Sequence, residues 1–173
     1  FVQASGIRPS ANLLKAANGK YYGLSAAGGT SFRGVLFEYD YAANTYTKKI
    51  DFTDAIGATP YGSLVEGASG ILYGMTNRGG NNDAGVIFAF NYNSNSYTKK
   101  IDLGSVIGSE PLSELLKAAN GKYYGLTSKG GVNDKGVLFE YDAIANTFTQ
   151  KTNFSDSLGY EPLGPLMQAT NGK

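Results

Sequence analysis

The feature that most constrains this chain is an internal repeat of 51 residues. The decapeptide KAANGKYYGL occurs at Lys15–Leu24 and again, unchanged, at Lys117–Leu126, and a diverged copy lies midway at 65–75. The glycine of this motif recurs every 51 residues, at Gly19, Gly70, Gly121 and Gly172. A fixed period of this length indicates a repeat architecture, in which each unit buries its apolar surface against its neighbours.

The chain divides into three full periods and the start of a fourth. The periods are residues 10–60, 61–111 and 112–162, followed by a partial repeat at 163–173. The first nine residues resemble the end of a preceding period. We therefore expect that this chain is either a piece of a longer chain with more repeats or a unit that completes a ring with other copies.

Each period predicts four short strands. In the first period they are Asn12–Ala17, Lys20–Ser25, Gly34–Asp40 and Thr45–Phe52. An Asn-Gly turn, a strong hairpin signal, joins the first two strands, and Val35, Phe37 and Tyr39 alternate along the third. A glycine inside strand two recurs in every copy, which predicts that a neighbouring backbone packs close to it; these glycines are Gly23, Gly74 and Gly125.

Small antiparallel sheets that are apolar on both faces must stack on one another. Radial stacking gives a β-propeller, whereas linear stacking gives a β-solenoid, whose repeats are usually shorter. We predict an all-β fold of three four-stranded propeller blades plus the first strand of a fourth, within a larger propeller. The paired lysines Lys48–Lys49 and Lys99–Lys100 suit an outer strand, where charge blocks edge-to-edge pairing; a basic ligand patch is the alternative.

Composition excludes several kinds of chemistry from this segment. The sequence has no Cys and no His, so it supplies no disulfide, no Cys/His zinc site and no Ser-His-Asp triad. The net charge is +1 with no basic cluster, which argues against a nucleic-acid partner. The sequence contains no apolar run of about 18 residues, so it predicts no membrane span. No secretory signal is visible.

The motifs of the third period resemble the kelch repeat: NGKYYGLTSKGG at 120–131, GVLFEYD at 136–142 and NTFT at 146–149. The kelch tryptophan of strand four is replaced, in successive copies, by Tyr46, Tyr97 and Phe148. More closely, the module resembles a family of secreted bacterial tandem-repeat proteins. This resemblance implies a kelch-like propeller and an extracellular or cell-surface location. Copper chemistry of the galactose-oxidase kind would need histidines from outside this segment.

Candidate ligand-binding residues lie in the loops that differ between copies. Antiparallel strands place the two-to-three loops and the four-to-one loops at the same end of each sheet, and variable loops on a repeated frame are where specific function usually lies. Their amides, carboxylates and aromatic rings suit a glycan, although tight loops also need such residues. The candidates are Phe32, Arg33, Tyr61, Asn81, Asn82, Asp83, Glu110, Asn133, Asp134, Lys135, Tyr160 and Glu161.

Two further hypotheses concern ions and charge. Asn82 with Asp83, and Asn133 with Asp134, offer oxygen ligands for calcium, although no EF-hand spacing is present; we otherwise expect no cofactor and no other metal. One position of strand one alternates in charge, and there we expect either pairing between neighbouring blades or a solvated channel lining without a ligand. In successive copies this position is Lys15, Glu66, Lys117 and Gln168.

The sequence leaves three functions open. We favour a non-catalytic, secreted or cell-surface propeller that binds a glycan or a protein or serves as a structural module. The first alternative is the propeller portion of a polysaccharide-acting enzyme that uses carboxylates on the variable loops. The second is a self-assembling structural protein whose open ends join other copies. No motif marks a catalytic pair, so we name no catalytic residue.

Overall fold

The computed structural model describes residues 3–9, 11–170 and 172. Over these residues the chain forms 13 β-strands and one 3-10 turn at Gln3–Ser5, and it has no α-helix. The predicted all-β class is therefore confirmed. The predicted boundaries at Ser10 and Lys173 lie outside the described residues.

The strands form three antiparallel sheets, one for each period. The first sheet consists of β1 (Ile7–Pro9), β2 (Leu14–Lys15), β3 (Tyr21–Ala27), β4 (Val35–Asp40) and β5 (Thr45–Asp51). The second consists of β6 (Val65–Glu66), β7 (Ile71–Thr76), β8 (Val86–Asn91) and β9 (Ser96–Asp102). The third consists of β10 (Leu116–Lys117), β11 (Tyr123–Thr127), β12 (Val137–Asp142) and β13 (Thr147–Asn153).

Strand one is shorter than predicted. The sequence predicted a strand over Asn12–Ala17, but only Leu14–Lys15 pairs with β3, because the Ala16 amide already bonds Lys20 O within the turn. The sequence also predicted a fourth copy of strand one within 163–173. This prediction is wrong, because none of the described residues after Asn153 forms a strand. A strand one exists only through its bonds to strand two, and no described residue after Leu163 supplies that partner.

The end of each period pairs with the sheet of the next period. In the first sheet β1 lies beside β3, with Ile7 opposite Ala27 and Pro9 opposite Ser25. Period-equivalent bridges join Ala58 to Arg78 and Ser109 to Lys129. The four-to-one loop therefore ties each sheet to its successor by backbone hydrogen bonds as well as by side-chain packing.

The repeated strand glycine makes room for an aromatic ring. Gly74 lies opposite Phe88 in the β7–β8 ladder, and a Cβ on Gly74 would lie 2.6 Å from Phe88 Cζ. Gly23 and Gly125 have the same relation to Phe37 and Phe139. The sequence predicted a neighbouring backbone there; the close neighbour is instead a phenylalanine of the same sheet, since glycine lets the ring lie flat across the strand.

Each sheet has two apolar faces, which we name by their direction. The forward face points to the next period and the rear face to the preceding one. The forward face of the first sheet, with Tyr22, Leu24 and Leu36, packs on the rear face of the second, with Phe88 and Phe90. A second core joins the forward face of the second sheet to the rear face of the third, through Tyr73, Met75, Ile87, Tyr123, Phe139 and Tyr141.

The starts of consecutive periods converge on one depression. It has a volume of about 360 Å³ and is lined by residues from four successive copies: Pro9, Ala11 and Asn12, then Tyr61 and Ser63, then Leu112, Ser113 and Glu114, and finally Leu163 and Pro165. Asn12 N donates to Ser63 Oγ over 3.2 Å between two of these segments. The starts of the periods therefore lie close together, at the edge of each sheet opposite strand four.

Candidate functional site

Both sets of variable loops lie at one end of the sheets, which we call the variable end. Thr59 N donates to Arg33 O over 2.8 Å, and period-equivalent bonds join Glu110 N to Ala84 O and Glu161 N to Lys135 O. The predicted grouping of the two-to-three and four-to-one loops is therefore confirmed. Their positions are fixed by backbone bonds that do not depend on the side chains.

A cation and a carboxylate form an ion pair at the variable end of the first and third sheets. Arg33 Nε lies 2.6 Å from Asp54 Oδ1, and Lys135 Nζ lies 3.3 Å from Asp156 Oδ1. The same two positions in the second period are Ala84 and Ser105. Neither of these side chains can form the ion pair, and the variable end of the second sheet has a wider opening than that of the first.

The opening is a polar groove of about 630 Å³ beside the second sheet, a volume within the range of small-ligand sites. Its walls combine hydrogen-bonding groups with the exposed aliphatic side chain of Val106. The residues that carry this chemistry are Arg78, Asn82, Ala84, Ser105, Val106 and Glu110. We call this opening the central groove.

Glu110 forms the charged wall of the central groove. Arg78 Nη2 lies 3.3 Å from its carboxylate, and Lys129 Nζ lies 3.2 Å from it. The Glu110 backbone has φ 55°, in the left-handed region, as do Thr59 and Glu161 at the equivalent positions. Because the repeat dictates this backbone, only the identity of the side chain distinguishes Glu110 from Thr59.

A smaller opening of about 340 Å³ adjoins the first sheet. It contains the Arg33–Asp54 pair and shares Arg78 and Asp83 with the central groove. The two openings together make a polar strip across the variable end, in which each cation lies beside a carboxylate.

Several predicted site residues hold the loops in place. Asp83 Oδ1 accepts a hydrogen bond from Gly79 N, and Asp134 Oδ1 accepts one from Gly130 N, both over 2.9 Å. Asn82 Nδ2 donates to Leu103 O over 2.8 Å, and Asn133 Nδ2 donates to Phe154 O over 2.9 Å. Asn81 Oδ1 accepts from Lys99 Nζ over 3.1 Å.

These hydrogen bonds involve the four residues of the calcium hypothesis. They engage one carboxylate oxygen of each aspartate, and no group of three or more Asp, Glu, His or Cys residues gathers within residues 3–9, 11–170 and 172. Calcium at Asn82–Asp83 or Asn133–Asp134 stays a prediction.

The predicted aromatic residues do not converge on the central groove. Phe32, which replaces the loop aspartate in the first period, is exposed at φ 56°. Tyr160 is exposed beneath Lys135, whose Nζ lies 5.0 Å from the ring centroid. Tyr61 lines the depression at the starts of the periods. The structure brings Asn82, Asp83 and Glu110 into one groove and leaves these rings elsewhere on the variable end.

Sequence reasoning missed three residues of the central groove. Arg78 lies at the end of strand two, where the first period has Ala27, and Ser105 and Val106 follow strand four. A signal for Ser105 was present, because Ala84 and Ser105 replace oppositely charged residues of the other two periods. That signal can be recognised only once the side chains at positions 33 and 54 are known to form an ion pair.

The charge-alternating position of strand one is used between neighbouring periods. The Glu66 carboxylate accepts the Ala17 amide of the preceding period over 3.0 Å, and Gln168 Oε1 accepts the Ala119 amide over 2.9 Å. Lys117 Nζ donates to Glu66 O over 3.3 Å. Lys15 is exposed. Hydrogen bonds between periods, the first of the two expectations, account for Glu66, Lys117 and Gln168.

A carboxylate network lies on the forward faces of the first and third sheets. Glu38 accepts from Lys20 Nζ over 2.8 Å and from Tyr22 Oη over 2.6 Å. Burial opposes the charged form of Glu38, but these bonds outweigh it and hold its pKa below the usual value. The equivalent Glu140 bonds Lys122 and Tyr124 over 2.7 Å. The hydrogen bond from Lys122, followed by that from Tyr124, lowers the pKa of Glu140 from 4.5 to about 2.

The second sheet lacks this network, since Ile71 and Ala89 replace its lysine and glutamate. Both networks lie on the faces of the sheets, away from the variable end, so these carboxylates serve packing between sheets. We assign them no role at the central groove.

Similarity to solved structures defines the class of protein as an all-β repeat domain with propeller-like neighbours. The extracellular domain of a protein assigned as a one-component system from B. thetaiotaomicron matches with a TM-score of 0.62 at 11% identity, over 93% of this chain and 19% of that chain. An ulvan lyase, a polysaccharide lyase bound to a GlcA(1-4)Rha3S saccharide, matches with a TM-score of 0.55 at 13% identity, over 88% of this chain and 41% of that chain.

TolB from Acinetobacter baumannii matches with a TM-score of 0.51 at 14% identity, over 76% of this chain and 29% of that chain. The chain thus spans less than half the length of each of these structures. Among curated proteins no sequence matches it.

The family is shown by a repeat model that matches the whole chain, residues 1–173. The chain belongs to the Gloeobacter/Verrucomicrobia repeat family. The predicted resemblance to tandem-repeat proteins is confirmed at this level, while the kelch resemblance stays a prediction. Over the described residues no helix is long and apolar enough to cross a membrane.

Proposed function

We propose that this chain is a non-catalytic binding module of a β-propeller, with blades at 10–60, 61–111 and 112–162, and that its central groove binds a glycan. The convergence of four period starts on one depression supports radial stacking, because a linear stack would hold these segments apart. The likeness to the ulvan lyase and to the extracellular domain supports the fold. We also propose an extracellular or cell-surface location.

The observation that carries the glycan assignment is the Ala84–Ser105 gap. It opens a groove whose walls present the guanidinium of Arg78, the carboxylate of Glu110 and the amide of Asn82. A sugar hydroxyl both donates and accepts hydrogen bonds, so donors and acceptors side by side suit it. Val106, with 77% of its surface exposed, offers an apolar contact for the C–H face of a sugar ring.

The charge balance of the groove favours a neutral saccharide. Arg78 and Lys129 face Glu110, and Lys99 lies 2.8 Å from Asp102 at the groove edge. With Asp83, which also lines the groove, three carboxylates balance these three cations, so the walls carry no excess positive field to attract a polyanion. We therefore expect neutral polysaccharides to bind more tightly than sulfated or uronate-rich ones.

The test narrows the groove by introducing the ion pair that is present in the neighbouring sheets; we call the resulting chain the closed variant. The double variant Ala84→Lys, Ser105→Asp copies the Lys135–Asp156 pair onto a backbone that accepts this pair in the third period. A matched control, Ser94→Lys with Ser96→Asp, adds the same charges at the opposite end of the same sheet, where both serines are exposed. Binding is measured by calorimetry against a panel of neutral and anionic polysaccharides.

We expect the original chain and the control to bind a neutral polysaccharide and the closed variant to bind it at least about tenfold more weakly, the cost of losing a few good polar contacts. Equal affinity of the closed variant, at an unchanged melting temperature, would overturn the proposal. So would a panel in which no polysaccharide binds the original chain. Shortened polysaccharide after incubation would favour the enzyme alternative, and concentration-dependent growth in mass would favour self-assembly.

A further inference from the structure

The three sheets are of two kinds that alternate along the chain. The first and third carry a carboxylate on the forward face, Glu38 and Glu140, whereas the second carries Ala89. Lys20 and Lys122 likewise alternate with Ile71. The unit that repeats most faithfully is therefore two periods long, which explains why KAANGKYYGL returns unchanged after two periods and is altered after one.

The two kinds of sheet make two kinds of interface. At the first interface Tyr22 stacks on Tyr92 of the second sheet, with ring centroids 5.5 Å apart, and Tyr92 Oη donates to Glu66 over 2.8 Å. At the second interface Tyr73 packs on Tyr123 and Tyr141, with centroids 4.7 Å and 6.2 Å away. A forward face of the first kind thus meets a rear face with Phe90, Tyr92 and Glu66.

The forward face of the third sheet repeats that of the first. Tyr124 bonds Glu140 as Tyr22 bonds Glu38. Tyr22 has no exposed surface, whereas Tyr124 and Leu138 remain half-buried. They border an apolar depression of about 450 Å³. The depression is lined by Leu116, Ala118, Tyr124, Leu138, Leu166 and Met167.

The start of the fourth period already sits on this face as the second period sits on the first. Gln168 Oε1 accepts the Ala119 amide over 2.9 Å, where Glu66 accepts the Ala17 amide over 3.0 Å. In the first period the same position is Lys15, which has no acceptor in its side chain. At this strand-one position the fourth period therefore has a side-chain acceptor, Gln168, as the second period has in Glu66, whereas the first and third periods have lysines.

We propose that the forward face of the third sheet is the seat of a blade of the second kind, which completes the period opened by Leu163 in the same chain. This blade presents apolar residues and a tyrosine at the positions of Leu72, Phe90 and Tyr92. A second copy of this chain fits less well, because its rear face would bring Tyr21 and Tyr39 to the positions of Leu72 and Phe90, and Lys15 to the position of Glu66. Only Tyr41, at the position of Tyr92, would match. The proposal is independent of whether the central groove binds a glycan.

The test extends the full chain in register at Lys173 with either of two segments of equal length. One segment copies residues 72–111 and gives a fourth sheet like the second sheet. The other copies residues 123–162 and gives a fourth sheet like the third, which is of the first kind. A further chain carries the 72–111 extension with Tyr92→Ala in the copied segment. Hydrogen exchange of Tyr123–Thr127 and Val137–Asp142 is measured in every chain, together with the sedimentation of the unextended chain.

We expect the 72–111 extension to slow exchange in these strands by at least about tenfold, because it covers a sheet that now has one open face. The 123–162 extension, whether or not it folds, should slow exchange much less. Tyr92→Ala in the 72–111 extension should remove most of the added protection from exchange. Equal protection by both extensions, or none by the 72–111 extension, would overturn the proposal. So would head-to-tail association of the unextended chain that protects the same strands.

Discussion

The first and second sheets share a backbone and differ in the chemistry of their forward faces. Glu38 in the first sheet is 7% exposed and is bonded by Lys20 and Tyr22. At the equivalent position Ala89 of the second sheet is also 7% exposed and lies in an apolar core. The comparison teaches that glycines and turns set the shape of each unit, while a few side chains decide which neighbour it fits.

The same contrast governs the variable end. Where the first sheet has Arg33 paired with Asp54, the second has Ala84 and Ser105 and hence the central groove. One alternation of sequence thus accounts for two different interfaces and for the position of the groove.

The largest effect should follow from placing the carboxylate in the second sheet. Ala89→Glu buries a carboxylate in an apolar core without a counterpart of Lys20, and only Lys100, the counterpart of Lys49, is left to pair with it. We therefore expect the free energy of unfolding to fall by about 3 kcal/mol. Adding Ile71→Lys supplies the counterpart of Lys20 and should recover part of the loss. Denaturant unfolding of both variants measures the difference; a double variant no more stable than Ala89→Glu alone would contradict this account.

Low pH should weaken the carboxylate networks of the first and third sheets, which the second sheet lacks. Because the folded pKa of Glu140 is about 2 instead of 4.5, its contribution is present above pH 4.5 and is lost as the pH falls toward 2. The lowered pKa of Glu38 acts in the same direction. Melting temperature against pH should therefore decline over this window in the original chain and decline less in Glu38→Gln, Glu140→Gln. Parallel curves for the two chains would count against the network.

The smallest effect concerns the loop in which the first period departs from the others. Phe32 holds φ 56° where the later periods have aspartates that bond a glycine amide. Phe32→Asp should stabilise the chain by about 1 kcal/mol, since aspartate tolerates this backbone better than phenylalanine and adds a hydrogen bond. Phe32→Ala is the control for removing an exposed ring. Equal melting temperatures for the Asp and Ala variants would contradict the comparison.

The sequence was informative about units and weak about contacts between them. The 51-residue period, the Asn-Gly turn and the alternation of Val35, Phe37 and Tyr39 predicted the strands, because hairpins depend on neighbouring residues. The length of strand one was overestimated, since the turn takes up the Ala16 amide.

The central groove was only partly predicted. Asn82, Asp83 and Glu110 were named, but Arg78 and Ser105 were not, because the groove forms between loops that are distant in sequence. The bond from Asn82 to Leu103, 21 residues away, is an example. Such distant contacts leave no local pattern. The alternation of Glu38, Ala89 and Glu140 was visible in the sequence. Its effect on packing could be recognised only once the structure showed which sheet faces contact each other.

Two label-to-label distances distinguish a radial from a linear arrangement of the sheets. The chain has no cysteine, so spin labels can be attached through cysteines introduced at Asn18 and Asn120 on the hairpins of strands one and two (the inner labels), or at Thr47 and Thr149 on strand four (the outer labels), all exposed positions. If the sheets fan around a common axis, the distance between the outer labels will clearly exceed the distance between the inner labels. Equal distances would indicate a linear stack and contradict the radial arrangement.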